Sequence, residues 1–206
     1  MTTATRVKRR RRDWDAYTRT ILSLHPAQGE WSEEQYLQLT DPINRLIEFT
    51  DGFIEVLPMP AVKHQAILRY LFRLLDALML QTGGTVFFAP LRVQVREGKF
   101  REPDLLLFRD ANDPRRQNRF WLGADLVMEI VSPDNPERDL VDKVADYAEA
   151  GIPEYWIVDP EAQTITVLKL EGDAYVPHSV FARGQQATSA LLDGFSVSVD
   201  AALDAE

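Results

Sequence analysis

The chain has no cysteine. Disulfides, thiolate metal sites and cysteine nucleophiles are therefore excluded, which fits an intracellular protein. Histidine is scarce too, at 3 residues, and there is no histidine cluster of the kind a catalytic zinc needs. No apolar run approaches the roughly 18 to 20 residues of a membrane span. The opening MTTATRVKRRRRDWD has no apolar segment after its charges and does not read as a secretory signal. The expected location is the cytoplasm, with no membrane partner. No internal repeat is visible, and no low-complexity segment beyond the arginine run.

Positive charge is also sparse once the first residues are set aside. The net charge is −9, yet Arg6, Lys8, Arg9, Arg10, Arg11 and Arg12 place +6 at the start, leaving 17 basic against 32 acidic residues, or −15. Phosphate neutralisation drives nucleic-acid binding, so the acidic body weighs against a broad electrostatic footprint. Residues 1–15 read as a basic, flexible arm, either solvated or touching nucleic acid. Residues 16–206 read as a single domain. The 206-residue chain, 45% hydrophobic and 27% charged, can bury an ordinary core.

Periodicity then sets out the elements. WSEEQYLQL reads as a short helix with Ser32 as N-cap and Glu33 and Glu34 in the first turn. RLIEFTDGFIEVLP reads as a hairpin turning at Asp51-Gly52. In HQAILRYLFRLLDALMLQTGG, apolar residues recur at helical spacing from Ile67 to Leu78, and Gly83-Gly84 ends the helix. Strands follow in TVFFAPLRVQV, PDLLLF and DLVMEIV. The last two are nearly continuous apolar runs, as expected of central strands covered on both faces. A polar, arginine-rich loop separates them. A helix is expected over Glu137–Ala150, then a buried strand EYWIVDP, then TITVLKL, AYVPHSVF and FSVSV as a terminal antiparallel set. The fold class is α/β, a mixed sheet flanked by helices.

The chemistry concentrates between Glu102 and Asp159. Asp104 precedes LLLF, and Glu129 interrupts LVMEIV. A carboxylate inside a buried strand is costly unless it is paired, hydrogen-bonded or bound to a metal. Magnesium needs only one or two carboxylates because it keeps several waters. Asp104 and Glu129 could converge on Mg2+ or Mn2+ if their strands are neighbours, with the backbone carbonyl of Ile130 as a further oxygen. Asp139, Lys143 and Tyr147 share one helical face, which would let Lys143 reach the carboxylates. The bland alternative makes Asp139 and Lys143 a surface i,i+4 pair. Leu140, Val144 and Ala148 mark a neighbouring stripe expected to pack on the sheet.

EPDLLLF, LVMEIVSPDN, DLVDKVADYAEAGIPEYWIVDP and the upstream DGFIEVLPMPAVKHQ together resemble the PD-(D/E)xK nuclease superfamily. Within it they are similar to the Uma-type branch, a domain of unknown function named as putative restriction endonucleases. The resemblance covers roughly residues 30 to 200. It implies a restriction-endonuclease-like core and a metal-dependent endonuclease hydrolysing DNA, with Asp104 and Glu129 as metal ligands. Val131 stands where the superfamily places its lysine, so the resemblance moves that role to Lys143 on the following helix. It also implies auxiliary roles for Glu55 and His64, and a homodimer in which each copy cuts one strand. Tyr147, expected as a structural residue of the core, could face the cleft as a further auxiliary. Arg101, Arg109, Arg115, Arg116 and Arg119 flank the Asp104 strand and are candidates for phosphate contacts. Glu55 as a hairpin-surface residue, His64 as a helix-start residue and the arginines as a solvated loop are the structural alternatives. The competing function is a nuclease-like fold that no longer cuts and binds nucleic acid or protein.

Overall fold

Two short strands with no polar side chain but one carry the centre of the molecule. In a computed structural model, which describes residues 26–43 and 45–206 together with Thr20 and Ser23, these are β6 (Leu105–Phe108) and β7 (Leu126–Ile130), buried along their whole length. They lie inside a six-stranded mixed sheet. One edge is β3 (Thr85–Phe88), beside β6. Beyond β7 come β8 (Glu154–Asp159), β9 (Thr164–Glu171) and the other edge, β10 (Ala174–Ala182). The β7–β8 pair is parallel and the remaining pairs are antiparallel. The basic arm expected over residues 1–15 lies outside the described residues.

Strand alternation sorts the side chains onto two faces. Leu105, Leu107, Leu126, Met128 and Ile130 pack with Ile67, Leu71, Leu75 and Met79 of the long helix, labelled α2 (Val62–Thr82). That helix ends at Gly83, whose φ of 83° closes it in the left-handed conformation that glycine adopts without penalty. On the other face Leu106, Phe108 and Val127 pack with Trp121, Tyr147 and Tyr155. By the same alternation Glu129 falls on this second face.

A second sheet of four strands has the order β2 (Phe53–Val56), β1 (Ile47–Thr50), β5 (Lys99–Arg101) and β4 (Val93–Arg96). The hairpin turns where expected, with positive φ at both Asp51 (47°) and Gly52 (85°), the backbone of a type I′ turn. Ile47, Phe49, Ile54 and Val56 pack against Tyr36 and Leu37 of the first helix, α1 (Glu33–Thr40). Ser32 caps α1 in a reciprocal capping box with Gln35, the arrangement that satisfies two orphan N–H groups at once. The chain passes from β5 of one sheet to β6 of the other through Glu102 and Pro103. Asp104 is therefore at the seam between the two sheets.

The helix expected over Glu137–Ala150 begins instead as a π turn, Arg138–Asp142, and continues as α3 (Lys143–Glu149). The N–H of Lys143 reaches back to the carbonyl of Arg138, the wide five-residue closure often found at functional positions. The expected apolar stripe holds only in part: Val144 packs against the second-face core, whereas Leu140 does not. Leu140 is 42% exposed and Val141 60%, while Arg138, Asp139, Lys143, Asp146 and Tyr147 are buried. With this face inward, Lys143 and Arg138 neutralise acids across the seam that would otherwise be buried unpaired, the costly case. Lys99 and Arg101 of β5 hold Asp146 at 2.8 and 2.7 Å, clamping α3 in this orientation. After β10 the chain forms a two-stranded pair, β11 (Gln186–Thr188) and β12 (Ser196–Ser198), and a last helix, α4 (Val199–Leu203).

Candidate active site

The antiparallel register of β6 and β7 pairs Leu105 with Met128, so the preceding residue, Asp104, falls beside Glu129. The two acids are tied through each other's backbone. The N–H of Ile130 donates to Asp104 Oδ2 at 2.8 Å, and the N–H of Asp104 approaches Glu129 Oε2 at 3.4 Å. His64, in the first turn of α2, adds its Nε2 at 3.0 Å from Asp104 Oδ2. Both contacts of that carboxylate run through Oδ2, which leaves Oδ1 for another partner.

Glu129 is 3% exposed, as is Lys143. Lys143 Nζ lies 2.7 Å from Glu129 Oε1, 3.1 Å from Asp139 Oδ1 and 3.7 Å from Glu48 Oε1. The surface-pair alternative for Lys143 does not hold. The Tyr147 hydroxyl also donates to Glu129 Oε1 in a short hydrogen bond. One turn apart on α3, Lys143 and Tyr147 thus converge on a single carboxylate oxygen. Tyr155 holds the start of the helix by donating to the Asp139 carbonyl at 2.8 Å.

Four members of the cluster were not singled out as site residues from sequence. Glu48 interrupts the apolar run LIEF as Glu129 interrupts LVMEIV, and the same signal would have found it. Alternation on β1 turns Ile47 and Phe49 toward α1 and Glu48 toward the seam. Glu102 is buried and accepts from the N–H of Ile47 at 3.0 Å. Asp139 is buried beside Lys143. Arg138 is buried with Asp139, Glu55 and Asp134 at 3.9, 3.8 and 4.0 Å, yet its Nε and Nη1 find no hydrogen-bond partner among the described residues. No local pattern distinguishes that arginine from a surface one.

The other expected residues separate into those near the cluster and those away from it. Glu55 stays at the rim, 3.8 Å from Arg138. Arg101 binds Asp146, Thr50 and the carbonyls of Phe49 and Phe100, and lies 3.7 Å from Glu48 Oε2. Arg109, Arg115 and Arg116 are at the far end of β6, about 13 Å away for four residues at about 3.3 Å each. There Arg115 pairs with Asp113 and Asp125, Arg109 lies 3.6 Å from Asp125, and Arg116 bonds the Ala111 carbonyl. Arg119 pairs with Glu34 and Asp41. Of the five expected arginines, the structure brings Arg101 alone to an acid of the cluster, Glu48.

The charges explain each other. Burial raises the pKa of Glu129, and the Lys143 ammonium only partly offsets it, because Asp104 and Asp139 add negative charge. Burial alone would lower Lys143, but Glu129, Asp139 and Glu48 outweigh it and raise its pKa. Burial and the neighbouring Glu48 carboxylate push Glu102 up to about 8. His64 is pulled down by burial and raised more by its bond to Asp104. Glu48, Glu102, Asp104, Glu129 and Asp139 thus gather, among the described residues, with Lys143, Arg138, His64 and, beside Glu48, Arg101. All but Glu48 and Arg101 line a cleft of about 30 Å³. Among the described residues, no three metal-binding side chains already converge as a metal site. The donor set nonetheless fits a hard divalent cation, since two oxygen ligands suffice for magnesium and the surplus carboxylates favour a positive ion.

The family model of Uma2, described as "Putative restriction endonuclease", matches residues 31–200. A solved structure from Anabaena variabilis, titled a putative nuclease belonging to DUF820, superposes with a TM-score of 0.69 at 22% identity. The alignment covers 84% of this chain and 98% of that one. At that identity the likeness shows the fold. No curated protein matches the chain.

Proposed function

Because the chain belongs to the Uma2 family, we propose that the cluster around Glu129 hydrolyses phosphodiester bonds of DNA with a bound divalent cation, Mg2+ or Mn2+. The observation that carries this reading is the buried Lys143–Glu129 pair at 2.7 Å beside Asp104. Asp104 and Glu129 would hold the cation, with the Ile130 carbonyl as a further oxygen. When bound, the cation supplies an acidified water and a Lewis acid for the phosphoryl oxygens.

The remaining work belongs to the chain. His64 and the N–H of Ile130 engage Asp104 through Oδ2, fixing its rotamer and leaving Oδ1 toward the ligand. Tyr147 fixes Glu129 in the same way, an outer-sphere role that tunes ligand geometry. The Lys143 ammonium neutralises charge as the phosphorus passes through its five-coordinate transition state. Asp139 and Glu48 keep that ammonium charged and in place. A homodimer cutting both strands follows by analogy with other restriction-like nucleases.

The test is cleavage of supercoiled plasmid with Mg2+ or Mn2+. Nicking or cutting is expected, and Asp104→Ala and Glu129→Ala should each abolish it. Cleavage that survives both substitutions overturns the mechanism. A second reading, a nuclease-like fold that binds without cutting, draws on the Lys143–Glu129 pair, which could satisfy Glu129 with no metal, and on the net charge of −9. Calorimetric titration with Mn2+ separates the two: heat that vanishes in Glu129→Ala supports the enzyme, and no heat supports the binding module.

A further inference from the structure

Beside the acidic cleft, and sharing Leu46, Pro60 and Asp104 with it, opens a second and larger chamber of about 680 Å³. We propose that this chamber receives an unstacked nucleobase of the nucleotide next to the phosphate held at the cluster. This rests on the nuclease reading and narrows its substrate to nucleic acid that presents a base out of the helix.

The walls carry the argument. Phe72 and Phe88 meet edge to face at 5.1 Å between ring centroids, and Met59 and Pro90 complete an apolar surround. Phe88 is 47% exposed and Met59 74%. Large apolar side chains left open beside a polar site mark a ligand surface, and the volume lies in the range of small-ligand pockets, roughly 300–1,000 Å³. The ligand must also be polar at one edge. Gln65, from the first turns of α2, lines the chamber, and its amide can both donate and accept. Arg69 and Glu206 also line the chamber, with Arg69 donating to the Glu206 carbonyl. A planar heteroaromatic ring with a polar rim matches an aromatic wall edged by these polar groups. Stacking on such a wall tolerates any base.

Position decides between a base and other apolar ligands. Asp104 belongs to the walls of both cavities, so whatever fills the chamber abuts whatever the acids hold. In a nucleic acid the group adjoining a phosphate is a nucleoside. A base paired and stacked in a duplex cannot enter a side chamber; it must come from a single strand or be flipped out of the helix.

The test is fluorescence anisotropy with three short labelled DNAs: a single strand, the same strand with one central abasic nucleotide, and its duplex. Each is titrated with wild-type protein, Phe88→Ala and Phe88→Leu, in a divalent cation and again in chelator. Phe88 is half exposed, so neither variant should unfold, and a melting curve checks this. The intact single strand is expected to bind about five-fold or more tighter than the abasic strand, as one base–aromatic stack supplies. Phe88→Ala should erase that difference. A duplex that binds as tightly as the single strand, with 2-aminopurine brightening at one position, would identify a flipped base as the source; without brightening it overturns the assignment. Equal binding of intact and abasic strands, an unchanged ratio in Phe88→Ala, or no binding of any strand would overturn it too. Plasmid cleavage alongside equal binding would leave the nuclease reading intact while removing the chamber. A base-dependent ratio without cleavage would do the reverse.

Discussion

Lys143 Nζ sits 2.7 Å from Glu129 Oε1 with both side chains buried, and Tyr147 donates to the same oxygen. Removing one partner of such a pair leaves an uncompensated charge, typically at a cost of about 3–5 kcal/mol. Lys143→Met is therefore expected to lower the melting temperature in chelator. A divalent cation should restore stability in this variant more than it stabilises wild type, because it takes over the neutralisation of Glu129. Thermal melts with and without Mn2+ check this, and equal metal-induced shifts in both proteins would argue against Glu129 as a ligand. Cleavage by the variant should fall by about 100-fold or more, the scale of losing one preorganised charge stabiliser.

Tyr147→Phe removes one hydroxyl and keeps the ring packed edge-on against Tyr155 at 5.0 Å between centroids. Its expected effect is on the metal rather than the fold: about 10-fold weaker Mn2+ affinity by calorimetry, as for other outer-sphere partners. An unchanged affinity would make Tyr147 a packing residue alone.

Glu102 gives a pH signature. Its folded pKa is raised to about 8, above the unfolded value, so its contribution favours the fold below about pH 4.3 and is lost as pH rises through the folded pKa. Between about pH 5 and 8.5, wild type in chelator should therefore lose stability relative to Glu102→Gln, by about 4 kcal/mol at about 1.36 kcal/mol per pH unit. The amide can still accept from the N–H of Ile47. Parallel pH–stability curves for the two proteins would show that Glu102 ionises normally.

Glu154 is the control for a buried carboxylate without a site. It accepts from Trp156 Nε1 at 2.7 Å, the Ser189 hydroxyl at 2.6 Å and the N–H groups of Ala190 and Leu191 at 2.6 and 2.8 Å. Nothing is left for a ligand. Glu154→Ala should destabilise the fold by about 3 kcal/mol or more, through several lost charge-assisted bonds. Mn2+ affinity at temperatures where the variant is folded should be unchanged. A lost Mn2+ response in folded protein would contradict this division of roles.

The contrast between Glu129 and Glu154 shows what could be read along the chain. Each is an acid on a buried strand, but Glu129 interrupts an apolar run whereas Glu154 opens its strand. For Glu129 the interruption itself points to a buried partner or a metal, and the resemblance to nucleases then makes it a ligand. Glu48 carried the same mark and was passed over. Lys143 and Arg138 are different: a lysine four residues after an aspartate reads as a surface pair, and an arginine beside a proline-rich turn reads as solvated. Only the inversion of the π turn and α3, clamped by Lys99 and Arg101, buries them.

The sequence by itself determined the alternation of β6 and β7, the hairpin at Asp51-Gly52, the long helix and its glycine stop, and the isolation of Glu129 among apolar neighbours. These are local consequences of side-chain periodicity and turn chemistry, which need no distant partner. Which acids meet, which face of the Arg138–Glu149 segment turns inward, and where a chamber opens beside Asp104 were decided by the packing of two sheets across one seam. Electrostatic energy depends on distance and burial, and only the tertiary structure sets those.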